Sequence, residues 1–445
     1  MKMAERSRVG GVGFGPANIA LAIALKEYGL LSESRFFEKN RKSTWQAGML
    51  LESSDIQNHP LRDLVTPRNP CSYFSFTNFL HVKGRLFEYL NMGMTFPFRI
   101  EYEQYVSWAA SHFRPHVQYG EEIMAIRPLF EGGDGVISGF GISDGAGQEH
   151  FCSHLVVAPG RTRYVPDDFL PCLSERVVHL CDYLPTVEAL ASRPPRVIAV
   201  IGGSQSAVEL MVDLSERFPD AEIHGIHRAY GFRQKDVSPF TGEVYFPEFV
   251  DEFYAASQPS KEGMRADLHY TNYSASDIDV LDVLYRRIYL QKIRGQQNIF
   301  IHRRSAVAPT GVDVSGALQL SVKSMDNDKT QQLRADLVVL ATGFKDIGSG
   351  AMKEECPAIL RGLYPYLKKS ELGVIQVNRD YSLVFADEHR GSGRCFLNGL
   401  CESTHGMGDA GSFSLLSLRA DDIINSIRMD EERCDLSVSR EVNVA

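Results

Sequence analysis

Apolar positions along this chain follow two rhythms. Short β-branched runs end in glycines, and each leads into a stretch with helical spacing. Near the start, Arg8-Val9-Gly10-Gly11-Val12-Gly13-Phe14-Gly15 passes through Pro16-Ala17-Asn18 into the apolar stretch Ile19 to Leu25. In the middle, the continuous strand Arg196 to Ile201 turns through Gly202-Gly203-Ser204-Gln205-Ser206-Ala207 into an amphipathic helix reaching about Leu214. Farther on, Ile278 to Arg287 has helical spacing, and Asp336 to Ala341 reads as a buried strand ending at Thr342-Gly343-Phe344. Strand–helix alternation around two glycine-rich turns predicts an α/β protein with two Rossmann-like, doubly wound domains.

The turn-rich segment Ser192-Arg193-Pro194-Pro195 reads as a junction between them. It predicts a discontinuous first domain, 1–194 plus 336–445, and an inserted second domain, 195–335. A mostly helical segment at about 249–295 belongs to the insert. The charged tail after Arg428 is expected to be mobile.

Composition narrows the classes. The chain has 445 residues, 44% of them hydrophobic and 10% aromatic, which is globular and not disordered. A formal net charge of −9 disfavours a nucleic-acid partner. No apolar run approaches the roughly 20 residues of a membrane span. The first residues lack a signal-peptide core, so a cytoplasmic protein is expected. Eight scattered cysteines without a Cys-x-x-Cys pair read as reduced thiols, neither a disulfide framework nor a zinc site. His224 and His227, three apart on one predicted strand, should face opposite sides and hold no metal.

The turns carry the first chemistry. Gly11, Gly13 and Gly15 let a pyrophosphate approach bare backbone at a helix N-terminus, with Pro16 opening the helix. Glu38 stands where such folds place the carboxylate for a ribose hydroxyl; the alternative is a solvated strand end. At the second turn, Arg228 follows the next strand where an NAD site would carry an acid. A guanidinium there suits the 2′-phosphate of NADPH, with Arg233 sharing the role or Arg228 merely exposed. Ala341-Thr342-Gly343 resembles the return crossing from the NADPH domain to the FAD domain in flavin monooxygenases, and with the two turns this favours a flavoprotein with FAD at the first site and NADPH at the second.

Further blocks have a familiar form. They are Trp45-Gln46-Ala47-Gly48-Met49-Leu50-Leu51, Gln57, Leu61-Arg62-Asp63-Leu64-Val65-Thr66-Pro67-Arg68-Asn69-Pro70, and Phe74 to Leu80. In the same order come Gly203 to Glu209, Ser238-Pro239-Phe240, Phe246-Pro247, Thr271-Asn272-Tyr273-Ser274, Ala341 to Phe344, and Thr404-His405-Gly406. Spanning almost the whole chain, they closely resemble the flavin-dependent N-hydroxylating monooxygenases. These are the L-ornithine N5- and L-lysine N6-hydroxylases of siderophore and natural-product biosynthesis.

The resemblance implies an oxidoreductase that N-hydroxylates a primary amine with O2 through a C4a-hydroperoxyflavin. Gly11, Gly13, Gly15, Pro16, Glu38 and Trp45 would serve FAD, with Gln57 beside the isoalloxazine. Gly203, Ser204, Gln205 and Ser206 would meet the NADPH pyrophosphate, and Arg228 its 2′-phosphate. Thr342, Gly343 and His405 would lie along the cofactors. Asn272 would touch both nicotinamide-ribose and substrate, so Gln57 and Asn272 are the catalytic candidates. Arg62, His59, Gly242, Asn272 and Tyr273 would form the substrate site. Dimers or tetramers are common in the family. No residue stands out as the base that must neutralise the amine, whose free pKa is about 10.4.

Several positions depart from the family pattern. Arg62 replaces the lysine that meets the substrate carboxylate, His59-Pro60 replaces a small residue and Phe, and Gly242 replaces an asparagine. Trp45-Gln46 replaces Trp-His, and Met407 to Phe413 interrupts a leucine-rich run. These changes leave open a different anionic amine, such as a shorter amino acid, an aminoalkyl phosphonate or a phosphate ester. An uncoupled NADPH oxidase or another flavin monooxygenase reaction is the reading from a different class. Trp45 and the Phe74/Phe76/Phe79 stripe read as core packing rather than cofactor contacts, while His405 reads equally as orienting the C-terminal turn near the flavin or as a packed structural histidine.

Overall fold

A computed structural model describes residues 6–131, 135–314 and 316–442, with side chains to residue 429. The first sheet is built from β1 (Arg6–Val12), β2 (Ser34–Glu38), β3 (Val117–Tyr119), β4 (Ile123–Glu131), β5 (Val136–Asp144), β6 (Glu149–Val157) and β17 (Cys395–Leu397). Its order is β3-β2-β1-β6-β5-β4, with β17 also pairing β6. The pairs of β1 with β2 and β6 are parallel, as a dinucleotide fold requires.

Helix Pro16–Glu27 follows β1 and is buried from Asn18 through Leu25. A helix apolar on every side must be covered on every side. The sheet covers one face and the last helix, Leu416–Val442, covers another. The charged tail after Arg428 therefore continues a helix as far as Val442.

The second sheet is wholly parallel, in the order β10-β9-β8-β14-β7. Its strands are β7 (Val177–His179), β8 (Val197–Ile201), β9 (Glu222–Ile226), β10 (Ile299–His302) and β14 (Leu337–Leu340). Strands β7 and β14 lie outside 195–335, so the boundaries expected at 194 and 336 move outward. The 192–195 turn joins helix Tyr183–Ala189 to β8 within this unit and is not the junction. The displacement has a plain cause: β7 is short, and its pairing partner lies some 160 residues along the chain.

The chain crosses between the sheets twice, and the two crossings are tied together. Tyr164 N–H donates to Gly343 O at 2.9 Å and Lys345 N–H to Thr162 O at 2.7 Å. Thr342 Oγ1 donates to Tyr164 O, and a bridge joins Arg163 to Phe344. Strands β11 (Ser305–Val312), β12 (Leu318–Ser324) and β13 (Thr330–Ala335) form a small antiparallel sheet beside the second unit.

The helical segment comprises Pro247–Ala255, Gln258–Asp267 and Ile278–Arg294. A short ladder anchors it. Ser276 N–H donates to Arg233 O, Lys235 N–H to Ser276 O, and Asp236 N–H to Tyr270 O. Aromatic residues Phe74, Phe76 and Phe79 are buried in the first core, which settles that stripe as packing.

Candidate functional site

At the first turn the three glycines are needed for different reasons. A Cβ on Gly11 would sit 2.2 Å from the Phe36 ring. Gly13 has φ +82°, and its Cβ would meet Ala158 O at 2.2 Å. Gly15 faces open space and precedes the helix with no side chain capping it, so free N–H groups point outward there. Glu38 is buried at the end of β2. It accepts from Phe14 N–H at 2.8 Å, from Asn40 N–H at 2.9 Å and from Asn40 Nδ2 at 2.7 Å. The solvated strand end is excluded.

Behind this turn lies a network that sequence reading missed. Asn18 Nδ2 donates to Gly13 O at 2.7 Å, Asn398 Nδ2 to Asn18 Oδ1 at 3.0 Å, and Arg419 Nε to Asn398 Oδ1 at 2.7 Å. Arg419 also pairs with Asp409, both fully buried. The turn is thus fixed by the segment that departs from the family's leucine-rich run.

The second turn is built alike. Gly202 packs against Ala341, and a Cβ on Gly203 would lie 3.2 Å from His227. Ser204 precedes helix Gln205–Arg217, whose first turn carries no acid. Ser204 Oγ and Gln205 N–H donate to Ala275 O, and the Gln205 side chain accepts from Asp277 N–H at 2.8 Å. Ser206 begins the same helix. The turn therefore holds the segment carrying Asn272 and Tyr273.

Arg228 lies exposed just past β9. Arg233 stacks on Tyr270 at 4.5 Å and so belongs to the helical segment. One residue past β10, beside the end of β9, is Arg303, its guanidinium 5.5 Å from the exposed Tyr230 ring. His224 meets His302 at 2.9 Å, whereas His227 packs on Phe232. Among the described residues no group of three His, Cys, Asp or Glu side chains is placed to hold a metal.

The 57–66 block comes next. Gln57 has φ +53°, its N–H donates to Asp55 Oδ1 at 2.9 Å, and its side-chain amide is buried beside Asp277. Burial, with Asp277, Asp279 and Glu209 nearby, pushes Asp55 up to about 6. Asp63 shapes the block: its carboxylate accepts from Val65, Thr66 and Phe76 N–H groups and from Thr66 Oγ1. Arg62 is left half-buried with its guanidinium 5.9 Å from the Tyr245 ring. Among the described residues no carboxylate lies within ion-pair distance of it. His59 is exposed, and its Nδ1 accepts from Leu61 N–H at 3.2 Å. Gly242 opens on empty space, one short turn before Tyr245.

Asn272 is half-buried just after a short turn between the second and third helices of the helical segment. Tyr273 reaches across to the first unit and donates to Glu402 Oε2, while Arg161 donates to the Tyr273 hydroxyl at 3.4 Å. Glu402 and Arg161 were not among the expected residues. The available signal was the position of Glu402, two residues ahead of the Thr404-His405-Gly406 block.

The remaining expected residues are structural in their contacts. Trp45 is half-buried, edge-on to Phe413 at 5.1 Å and Tyr102 at 6.0 Å. His405 is buried: Thr404 Oγ1 lies at Nδ1 and Arg379 O at Nε2, and the ring stacks on Tyr381 at 4.1 Å. Burial pushes it down to about 4. With both nitrogens engaged, His405 is a packed histidine. Thr342 and Gly343 form the crossing already described, Gly343 with φ +81° and open space where a Cβ would be. An open surface cavity of about 540 Å3, lined by Asp251, Arg379, Asp380 and Asp422 among others, contains none of the expected residues.

Comparison with known proteins points one way. Residues 7–346 match the family model described as L-lysine 6-monooxygenase/L-ornithine 5-monooxygenase. An L-ornithine N(5)-monooxygenase of Burkholderia cepacia is 35% identical over 407 residues, covering 89% of each chain. The solved ornithine hydroxylase PvdA of Pseudomonas aeruginosa is 31% identical with a TM-score of 0.86, covering 95% of this chain and 99% of its own. The ornithine N-hydroxylase KtzI of Kutzneria sp. 744, solved with reduced FAD, NADP+ and L-ornithine, is 31% identical with a TM-score of 0.87. That match covers 96% of this chain and all of the other.

Proposed function

This chain belongs to the L-lysine 6-monooxygenase/L-ornithine 5-monooxygenase family, and on that premise we propose that it N-hydroxylates the side-chain amine of L-ornithine or L-lysine. It is an FAD- and NADPH-dependent monooxygenase that uses O2. The product of such a reaction, once acylated, is a hydroxamate suited to siderophore assembly. No described helix is long and apolar enough to cross a membrane.

The residues present fit both cofactors. The first sheet's unit would take FAD: the open face at Gly15, the uncapped helix behind Pro16 and the held Glu38 carboxylate suit a pyrophosphate and a ribose. The second sheet's unit would take NADPH at Gly203, Ser204, Gln205 and Ser206, with the exposed Arg228 toward a 2′-phosphate. When bound, the cofactors supply the reducing equivalents and activate O2.

The chain's own task is to bind, orient and keep dry. Arg62, with no internal carboxylate, would pair with the substrate carboxylate; its planar fork permits two parallel hydrogen bonds. Gln57, whose Nε2 is buried, and Asn272 would meet the flavin, the nicotinamide-ribose and the amine. Excluding water disfavours the ammonium and helps expose the nitrogen lone pair. The observation that supports this reading most is Tyr273. It comes from the second unit and bonds Glu402 of the first, while Tyr245, 5.9 Å from the Arg62 guanidinium, donates its hydroxyl to Thr271 O two residues before it.

The test is a hydroxylamine assay with purified enzyme, FAD, NADPH and O2 across ornithine, lysine, 2,4-diaminobutyrate, putrescine and aminoalkyl phosphonates. Product from ornithine or lysine matching the NADPH consumed is expected. Hydrogen peroxide alone with those two amino acids would overturn the reading.

A further inference from the structure

Glu402 is a buried carboxylate that joins the two units at the substrate segment. It heads the short helix Glu402–His405 and is 6% exposed. Its Oε2 accepts from the Tyr273 hydroxyl, and that phenol oxygen accepts from Arg161 at 3.4 Å. Arg161 in turn lies over the Phe344 ring at 4.8 Å, at the crossing between the units. On the other side stands Tyr245: Arg62 is 5.9 Å from its ring, and the Glu402 charge acts on its hydroxyl. Tyr245 thus lies beside Arg62 and within reach of the buried acid's charge.

We propose that Tyr273 and Glu402 form the proton acceptor for the substrate ammonium, with Glu402 acting through Tyr273 as its positioning partner. This rests on the amine-hydroxylase reading above. The step needs no oxidant or reductant. The N–H bond of the ammonium breaks and its proton passes to the Tyr273 oxygen, whose own proton moves to Glu402 Oε2. The nitrogen keeps the electron pair, and the carboxylic acid returns its proton to water after product leaves.

The surroundings suit that task. Burial and the nearby Asp346 push Glu402 up to about 7, while Arg161, Tyr273 and Arg265 pull it down. Asp346 is itself held by Arg265 and Lys353. A carboxylate near 7 is half-ionised at neutral pH, where a proton acceptor works best. Tyr273 is pushed well above 10 by burial and Glu402, so it relays a proton and does not ionise on its own. Within its own helix, His405 is engaged by Thr404 and Arg379 and takes no part.

The experiment follows hydroxylamine formed per NADPH from pH 6 to 9.5 with ornithine and with lysine. Wild type, Glu402→Gln, Tyr273→Phe and Glu402→Asp are each normalised to their anaerobic rate of flavin reduction by NADPH. In wild type, coupling should rise through an inflection near pH 7. Glu402→Gln and Tyr273→Phe should lose about 10-fold or more at pH 7. Both should lack the inflection and climb toward pH 9.5, where the amine sheds its own proton. Glu402→Asp should restore part of the inflection. Should Glu402→Gln fail to fold, Tyr273→Phe decides alone. Variants keeping the wild-type inflection and coupling would overturn this proposal and leave the amine-hydroxylase reading standing. A wild type yielding only peroxide would overturn both.

Discussion

Arg99 and Glu209 lie face to face across the join between the two sheets. Arg99 Nη1 meets Glu209 Oε2 at 3.0 Å and Nη2 meets Oε1 at 2.9 Å, with both side chains buried. The same guanidinium donates to Met49 O and Asp55 O, so it fixes the segment leading to Gln57 against the second glycine turn's helix. Removing one partner strands a buried charge, which costs about 3–5 kcal/mol. Arg99→Leu or Glu209→Leu should lower unfolding stability by that order in urea titration. The double variant Arg99→Met/Glu209→Leu should recover most of the loss, since neither charge is then left alone.

Arg62→Ala should raise KM for ornithine or lysine by about 10- to 100-fold, the value of a charged hydrogen bond of ~1.5–3 kcal/mol. Its effect on anaerobic flavin reduction by NADPH should be small. Arg62→Lys should recover part of the loss. Gly242→Asn, placed in open space, should fold normally and lower the KM for ornithine. Steady-state and stopped-flow kinetics check both.

Arg228→Ala should raise KM for NADPH by about 10-fold and change that for NADH little, because only the former carries the 2′-phosphate. Equal losses with both nucleotides would remove Arg228 from that contact.

The first turn separates folding from binding. Gly13→Ala puts a Cβ against Ala158 O at a left-handed backbone position, so it should fail to accumulate as folded protein. Gly15→Ala meets no protein atom and has ordinary backbone angles, so the apoprotein should keep its melting temperature. Its FAD affinity should fall at least about 10-fold, because the added methyl occupies the pyrophosphate's approach. Fluorescence titration of the apoprotein with FAD reads the difference.

His405 makes an acid-sensitive contribution to stability. Its folded pKa is pushed down from 6.5 to about 4, so the folded state holds it neutral. The contribution is complete above 6.5 and is lost as pH falls through that window toward 4. In His405→Gln, urea midpoints should therefore decline less between pH 6.5 and 4 than in wild type.

The sequence by itself determined both glycine turns, the strand–helix units around them and the family. Each rests on local chemistry. A positive φ at Gly13 and a bare helix start behind Gly15 are properties of a few consecutive residues, and the blocks keep their order along the chain. Tertiary structure alone decided the rest. The parallel pairing of β7 with β14 moved the boundaries, because no local pattern reports the partner of a short strand. It likewise decided that His405 is packed, that Arg233 stacks on Tyr270, and that Arg62 faces Tyr245. Tyr273 and Glu402 lie 129 residues apart, and Arg99 and Glu209 lie 110 apart. Contacts at such separations exist only once two sheets, each with its own core, are brought together by the paired crossings at 162–164 and 342–345.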